Sequence, residues 1–232
     1  MADSPEDLDA QVRRTDPDRW LSSRFVAEPA ARAHVIAIYA YDYELARAPR
    51  VASNSLLGEI RLTWWREVLD EIFEGRAVRM HPTAQALAAA VRAHDLARAR
   101  LETMIDARYR ELDPAAMNAE EALSWARDSA GAAARLAAGL LDPNGDTAAA
   151  GDAGAAWALA RRAGAGGADA HAFAEALAGL WPQARRGARS MPVAAFPAIA
   201  HAALVDRLAA GGRPADWAVR LRLVWAVARG RL

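Results

Sequence analysis

Apolar residues recur along the chain at intervals of three and four positions, and no segment alternates strictly between apolar and polar residues. This spacing places apolar side chains on one face of an α-helix. The pattern predicts helices near residues 29–47, 54–74, 82–94, 98–112, 119–141, 147–164, 169–189, 196–211 and 214–229. The short, proline- and glycine-rich connections favour antiparallel neighbours in one all-α bundle over residues 16–232. We expect residues 1–15 to be disordered or loosely held.

Two of the predicted helices carry a charge inside an apolar stripe. The stripe of the first consists of Val35, Ile38, Tyr39, Leu45 and Ala46, and Asp42 falls within it. The stripe of the second consists of Leu57, Ile60, Trp64, Val68 and Ile72, and Arg61 falls in its middle. An unpaired buried charge is costly, so Asp42 and Arg61 are candidate partners. Alternatively, either side chain extends to the rim of the bundle and stays solvated.

Composition removes several classes of function. The 232 residues have a formal net charge of +0, which argues against a general attraction to nucleic acid. The absence of cysteine excludes disulfides, thiol catalysis and zinc–thiolate sites. All basic residues are arginine, so lysine chemistry is also excluded. We expect no secretory signal and no transmembrane helix, and we predict a cytoplasmic protein, with peripheral contact at the inner membrane left open.

Scans for common binding motifs give weak matches. Gly164–Gly167 imitates a dinucleotide loop, but no predicted strand precedes it. Asp142, Asn144 and Asp146 imitate the start of a calcium loop, but the glycine and the glutamate that such a loop requires are absent. The five histidines show no paired metal-ligand spacing.

Four segments resemble the squalene/phytoene synthase family, in family order. They are the opening segment Asp16–Phe25, the Tyr-Ala signature in Ile38–Tyr41, the helix Leu62–Gly75 followed by His81-Pro82, and the Ala-Gly helix in Leu123–Gly131. The likeness fades after about residue 145. The resemblance implies a single helical domain of the isoprenoid synthase type.

The resemblance also implies a metal-dependent chemistry that this chain is poorly equipped to perform. Enzymes of the family join two prenyl diphosphates head to head, and two aspartate motifs hold the magnesium ions that neutralise the leaving diphosphate. Counting from Tyr39, the first motif should place aspartates at positions 46 and 50. The sequence has Ala46 and Arg50 there.

The second motif is also altered. Counting from Gly154, it should carry an asparagine at 161 and aspartates at 165 and 169, whereas the sequence has Arg161, Ala165 and Asp169. One carboxylate in place of four cannot assemble a cluster of magnesium ions. We therefore assign no catalytic residue, no metal ligand and no cofactor.

The segments Tyr39–Arg47 and Leu57–Trp65 resemble a non-catalytic branch of the family that includes mitochondrial assembly factors for respiratory complex I. This resemblance implies a binding or assembly protein, with a partner protein or a prenyl lipid in the central cavity and a complex I subunit as one candidate partner. Two alternatives stay open: a head-to-head prenyl diphosphate synthase with a displaced active site that uses magnesium, and a helical interaction module with an accidental likeness.

The candidate binding residues come from the first two predicted helices. Arg47 and Arg50 either bind a diphosphate directly, since guanidinium groups match phosphate oxygens, or are solvated residues at a helix end. The full set of cavity or binding candidates is Tyr39, Asp42, Tyr43, Arg47, Arg50, Arg61, Trp64 and Trp65.

Overall fold

The computed structural model describes residues 5–50, 54–212 and 215–232, and within them it contains helices and turns but no β-strand. The all-α prediction is confirmed. The α-helices are α1 (Pro5–Thr15), α2 (Pro17–Ser23), α3 (Pro29–Arg50), α4 (Ser55–Phe73), α5 (Pro82–His94), α6 (Arg98–Tyr109), α7 (Ala119–Ala126), α8 (Ala132–Leu141), α9 (Ala148–Ala165), α10 (Ala170–Ala188), α11 (Val205–Ala209) and α12 (Asp216–Arg229). Three 3₁₀ turns span Arg110–Leu112, Phe196–Ala198 and Ala200–Leu204, and a π-helical turn, Arg127–Gly131, joins α7 to α8.

The N-terminal segment is more ordered than its polar composition suggested. Residues 5–15 form α1, whose Leu8 and Val12 lie one helical turn apart and are buried in the main core. The expectation of a loosely held segment is therefore wrong for residues 5–15, while residues 1–4 lie outside the described part of the chain. Asp16 then starts α2, since its side chain accepts a hydrogen bond from the Arg19 backbone N–H and Pro17 occupies the first helical position.

Helix α3 is the centre of the bundle. It packs against α1, α2, α4, α5, α6 and α8, and every residue from Val35 to Asp42 is buried. Its apolar stripe is the one that the sequence predicts, including Asp42 inside it. The charge on Asp42 is consequently surrounded by protein and must be neutralised there.

Helix α4 is rotated relative to the prediction. Val68 and Ile72 are buried and Trp64 is half-buried, as a core stripe requires, but Leu57 and Ile60 face solvent with 40% and 54% of their surface exposed. The predicted burial is therefore wrong at the first turns of this helix.

A glycine explains the rotation of α4. Gly58 faces the side chain of Leu112 so closely that a Cβ at this position would lie 2.3 Å from Leu112 Cδ2. This contact turns Trp65 and Leu69 into the core and leaves Arg61 exposed. The predicted pairing of Arg61 with Asp42 is consequently wrong.

Helix α9 lies against the continuous helical rod formed by α7, the π-helical turn and α8, and small residues set the close approach. A Cβ on Gly154 would lie 2.6 Å from the Ala130 carbonyl oxygen, and a Cβ on Gly131 would lie 2.9 Å from the Gly151 carbonyl oxygen. Side chains at these positions would push the two helices apart. The glycines thereby hold α9 close to the π-helical turn, and residues of both elements line one cavity together with the C-terminal half of α3.

The last helix is attached by a small separate cluster. Val219 and Leu223 of α12 are buried against Leu204, with Leu21 and Phe25 packed at the edge. None of the described helices combines the length and the apolar character that a membrane span needs.

Candidate functional site

A cavity of about 250 Å³ opens between α2, α3, α6, α9 and the π-helical turn. Below, it is called the central cavity. Its lining combines five arginines with three carboxylates and two tryptophans. These residues are Arg19, Arg50, Arg108, Arg161, Arg162, Asp16, Asp42, Glu111, Trp125 and Trp157, together with uncharged side chains that include Tyr43, Ala46, Ser129 and Ala165.

Asp42 is the midpoint of an ion-pair network along the wall of the central cavity. Its Oδ2 accepts from Arg19 Nη1 at 2.8 Å, and its Oδ1 accepts from Arg108 Nη2 at 2.6 Å. The three side chains are no more than 5% exposed, so solvent contributes little to their neutralisation. Each carboxylate oxygen of Asp42 is therefore committed to a guanidinium group.

The network continues on both sides of Asp42. Asp16 Oδ2 accepts from Arg19 Nε at 2.5 Å, and Glu111 Oε1 accepts from Arg108 Nη1 at 2.6 Å. Below, these five residues (Asp16, Arg19, Asp42, Arg108 and Glu111) are called the buried network. Positive and negative groups alternate along it, which is the arrangement that a charged chain in a low-dielectric interior requires.

Two further residues are attached to Glu111. Trp125 Nε1 donates to Glu111 Oε1 at 3.0 Å, and Arg162 Nη1 lies 3.5 Å from Glu111 Oε2. Glu111 thus connects the 3₁₀ turn after α6 with α7 and α9.

The arginines of the buried network keep Asp16 and Asp42 ionised. Burial by itself would raise the pKa of Asp42, but the guanidinium groups of Arg108 and Arg19 outweigh burial and hold the pKa below its usual value. Burial would likewise raise the pKa of Asp16, but Arg19 outweighs burial and lowers it. Asp16 and Asp42 therefore carry their negative charges at neutral pH.

The family resemblance implies aspartates or an asparagine at five positions, and four of these positions line the central cavity as two facing pairs. Ala46 and Arg50 line it from α3, and Arg161 and Ala165 line it from α9. The fifth motif position, Asp169, is elsewhere: it precedes α10, accepts a hydrogen bond from the Met117 backbone N–H at 3.1 Å and lies 3.6 Å from Arg162. Its contacts join α10 to the start of α7 and are structural.

Two of the cavity arginines lack a carboxylate partner. Arg50 Nε donates to the Ala46 carbonyl oxygen at 2.8 Å, and Arg161 stacks on Trp157 with its guanidinium carbon 4.7 Å from the ring centroid. In the described parts of the chain, neither guanidinium lies within ion-pair distance of an acidic side chain. Burial, together with repulsion from Arg108 and Arg161, outweighs the attraction of Glu111 and Asp42 and lowers the pKa of Arg50. These two cations are available to a ligand.

The same cavity contains donors without an acceptor. Arg108 Nε and Trp157 Nε1 belong to buried side chains that line the central cavity, and neither has a hydrogen-bond partner among the described residues. A buried N–H group without an acceptor costs on the order of 1–3 kcal/mol. Both nitrogens are enclosed by protein in this structure, so an acceptor-rich ligand would reach them only after a small rotation of their side chains toward the cavity.

The lining does not fit the magnesium cluster that the family resemblance implies. Magnesium needs oxygen ligands held free of competing cations, whereas Asp16, Asp42 and Glu111 are each bound by arginine. Across residues 5–50, 54–212 and 215–232, no group of three or more metal-ligating His, Cys, Asp or Glu side chains occurs. The electrostatic character of the site is that of an anion site.

The eight candidate residues from the sequence divide between two places. Asp42, Tyr43 and Arg50 line the central cavity, and Tyr39 lies buried behind it, with Arg19 stacked on its ring at 4.9 Å. The other four line a separate surface depression of about 290 Å³ that also includes Glu44, Ile60 and His81. These four are Arg47, Arg61, Trp64 and Trp65.

Several cavity residues are absent from the sequence-based set. Asp42 pairs with two of them, Arg19 and Arg108, which lie 23 and 66 positions away in the chain. Glu111 joins the site through its ion pair with Arg108. Arg161 is different, because it occupies a position of the second altered motif. An arginine at a motif position is itself a signal for an anion-binding candidate, so the sequence alone could have indicated Arg161.

Comparison with known proteins identifies relatives in sequence and in fold. The sequence profile of the family described as "Squalene/phytoene synthase" matches residues 12–172. A curated relative from Bos taurus, "NADH dehydrogenase (ubiquinone) complex I, assembly factor 6", is 30% identical over 120 residues, which are 51% of this chain and 35% of that protein. The matched segment thus spans about a third of the length of the curated relative.

Solved structures share the fold. A dehydrosqualene synthase crystallised with a ligand superposes with a TM-score of 0.71 at 12% identity and covers 97% of this chain and 94% of its own. The squalene synthase HpnC from Alicyclobacillus acidocaldarius superposes with a TM-score of 0.66 at 16% identity, with the same coverage. Because the family profile matches well over half of its residues, this chain belongs to the squalene/phytoene synthase family.

Proposed function

We propose that this chain is a non-catalytic member of its family, which binds an anionic, phosphate-bearing ligand in the central cavity without a metal ion. The observation that carries the proposal is a pair of arginines that line the cavity from opposite helices without an acidic partner: Arg50, where the resemblance implies an aspartate, and Arg161, where it implies an asparagine. Guanidinium groups bind phosphate oxygens directly and bidentately, so they take the place that a metal ion would occupy between carboxylate and phosphate.

The unsatisfied donors support the same class of ligand. Arg108 Nε and Trp157 Nε1 are buried N–H groups that require acceptors. A phosphate group supplies several acceptor oxygens and negative charge together. A neutral hydrocarbon would supply neither, so the polar end of the ligand is what this part of the cavity recognises.

The size of the cavity argues against head-to-head joining of two prenyl chains. Its volume of about 250 Å³ lies below the range of roughly 300–1,000 Å³ typical of pockets for one small molecule. Two long-chain substrates together need more room than one. The cavity suits a single headgroup with the beginning of its chain.

The first test is an assay for chemistry. The purified protein is incubated with magnesium and prenyl diphosphates, and the organic extract is analysed for squalene, presqualene diphosphate and phytoene. We expect no product above a control without protein. Product that disappears when Asp42 or Glu111 is replaced would instead support the alternative of a prenyl diphosphate synthase with a displaced site.

The second test is a binding measurement. Thermal unfolding is followed with inorganic diphosphate in the presence of a metal chelator, since a ligand of the native state raises its stability by about 2.7 kcal/mol at about 100 times its Kd. We expect stabilisation of the natural chain and its loss in Arg50→Gln/Arg161→Gln. Arg47→Gln is the matched control, because Arg47 lies on the same helix outside the central cavity. Stabilisation that requires magnesium would contradict the proposal.

A second proposed role is in the assembly of respiratory complex I. This role rests on the 30% identity to the Bos taurus assembly factor. It concerns the protein partner of the chain and does not depend on a ligand in the central cavity. Such a role would place the protein at the surface of the inner membrane. Deletion of the gene in its own host should lower the amount of assembled complex I on native gels, and restoration by the Arg50→Gln/Arg161→Gln variant would separate this role from ligand binding.

A further inference from the structure

Helix α12 is apolar on two opposite faces. Its inner face is fixed to the body of the protein through Val219 and Leu223. On the opposite side, Trp217, Leu221, Val224 and Trp225 are 69%, 51%, 48% and 55% exposed. Positions separated by four, seven and eight residues share one face of a helix, so these four side chains form one continuous outer stripe. Isolated exposed apolar residues are ordinary, but a contiguous stripe indicates an interaction surface.

Arginine borders this outer stripe on both sides. At 100° per residue, Arg220 falls along one edge, and Arg222 and Arg229 fall along the other. Arg229 also stacks on Trp225 at 4.1 Å, and Arg231 follows the helix. None of these arginines forms an ion pair within the described residues, and Asp216 is the one acidic residue of the segment 215–232. The surface is thus locally cationic in a chain of zero net charge.

We propose that the outer stripe of α12 is a membrane-docking surface, which lies in the headgroup region of a bilayer containing anionic phospholipid. Tryptophan prefers the membrane–water interface because its ring is apolar and its N–H can be solvated. Arginines that flank an apolar stripe are placed to bind lipid phosphates while the stripe enters the acyl boundary. With 14 residues, α12 is about 21 Å long, which is too short to span a bilayer core of about 30 Å, so it lies in the plane of the interface.

The charges of α12 disfavour the other occupants of this surface. In a twofold dimer built on the stripe, the same arginines would meet their copies, with Asp216 as the one acidic residue that the segment offers in return. A stable contact with another protein buries about 800 Å² on each side and involves roughly 20 residues, far more than four side chains of one helix. An anionic bilayer complements the arginines without requiring a larger patch.

The experiment is vesicle flotation of the natural chain with neutral phosphatidylcholine and with a mixture of phosphatidylcholine and anionic phosphatidylglycerol. We expect the protein to float with the anionic vesicles, to bind neutral ones much more weakly, and to be released by high salt. Trp217→Ser/Trp225→Ser should lower the affinity for anionic vesicles about tenfold or more, and Arg220→Gln/Arg222→Gln should remove most of the preference for anionic lipid. The control is Met80→Ser/Val193→Ser, which replaces even more exposed apolar side chains away from α12 and should bind as the natural chain does.

Thermal unfolding of each variant shows whether it is folded, and sedimentation equilibrium is measured alongside. Equal binding of neutral and anionic vesicles, or unchanged binding after the tryptophans are replaced, would overturn the proposal. So would a protein that ignores vesicles but changes from dimer to monomer in Trp217→Ser/Trp225→Ser, because the stripe would then be a self-association surface. The diphosphate measurement above uses a different site, so the two proposals fail independently.

Discussion

The central cavity contains arginines in two electrostatic situations. In the buried network, Arg19 and Arg108 are each held by two carboxylates within 2.8 Å. Arg50 and Arg161, which line the same cavity, have no carboxylate partner in the described chain. A neutralised buried charge contributes to the fold, whereas a cation without a counter-ion is a cost that only a ligand or solvent can offset. Removing charges from the two groups should therefore have opposite effects on stability.

The largest effect is expected at Asp42. Asp42→Ala leaves Arg19 and Arg108 buried with one partner fewer each, and breaking a buried ion pair from one side costs about 3–5 kcal/mol. Urea unfolding measures the loss. Asp106→Ala is the control, since its pair with Arg66 is exposed and should cost no more than about 1 kcal/mol. Equal losses in the two variants would show that the buried network does not stabilise the protein.

Acidic pH should also lower the free energy of unfolding, through the buried imidazole of His201. Burial, with a further contribution from Arg19, lowers the pKa of His201 to about 3, and the imidazole lies against Trp157 with ring centroids 5.0 Å apart. The unfolded state takes up a proton near pH 6.5 that the folded state refuses until about pH 3, so stability falls as pH drops through this window. At about pH 5 the loss should be about 2 kcal/mol.

Replacement of the imidazole tests this loss. His201→Gln should reduce the fall in the free energy of unfolding between about pH 6.5 and pH 5. His171→Gln, at an exposed position, should leave this fall unchanged. The low pKa values of Asp16 and Asp42 add a further loss only at more acidic pH, below their usual range. Identical unfolding curves for natural chain and His201→Gln at both pH values would contradict the assignment.

The smallest effect is expected where the arginines lack acidic partners. Arg50→Gln/Arg161→Gln relieves repulsion among the guanidinium groups, so stability without ligand should be unchanged or rise by about 0.5 kcal/mol. Arg108→Gln, a member of the buried network, should instead lose several times that amount, on the order of 3 kcal/mol. Urea midpoints in low salt give the comparison. A destabilised double variant would mean that these arginines have structural partners.

The helical fold could be predicted from the sequence because periodicity is a local property. The stripe of α3 was predicted correctly. This helix is buried nearly all around, so an error in the predicted rotation about its axis would still have placed most of its apolar residues in the core. Helix α4 shows the limit of the method. Its apolar residues occupy more than one face, and the contact between Gly58 and Leu112, distant in sequence, selects which of them is buried.

The candidate site was predicted only in part, for a related reason. Asp42 was predicted because it is a charge within an apolar stripe, and Arg50 because it occupies a position of the first altered motif. Arg161, at a position of the second altered motif, was not among the predicted candidates. Nothing in the sequence distinguishes Arg19 and Arg108 from the many other arginines of the chain. Ion-pair partners are chosen by tertiary packing, so the correct partners of Asp42 required the fold.

The π-helical turn at Arg127–Gly131 has a consequence for how relatives of this chain are aligned. A π turn is a helix with one residue inserted, and Ser129 and Ala130 of this turn line the central cavity. Deleting one residue here would restore a regular α-helix and rotate α7 about 100° relative to α8, which would carry Trp125 away from Glu111. A one-residue gap at this point between two family members therefore marks a differently shaped cavity, even though the helix on either side continues uninterrupted.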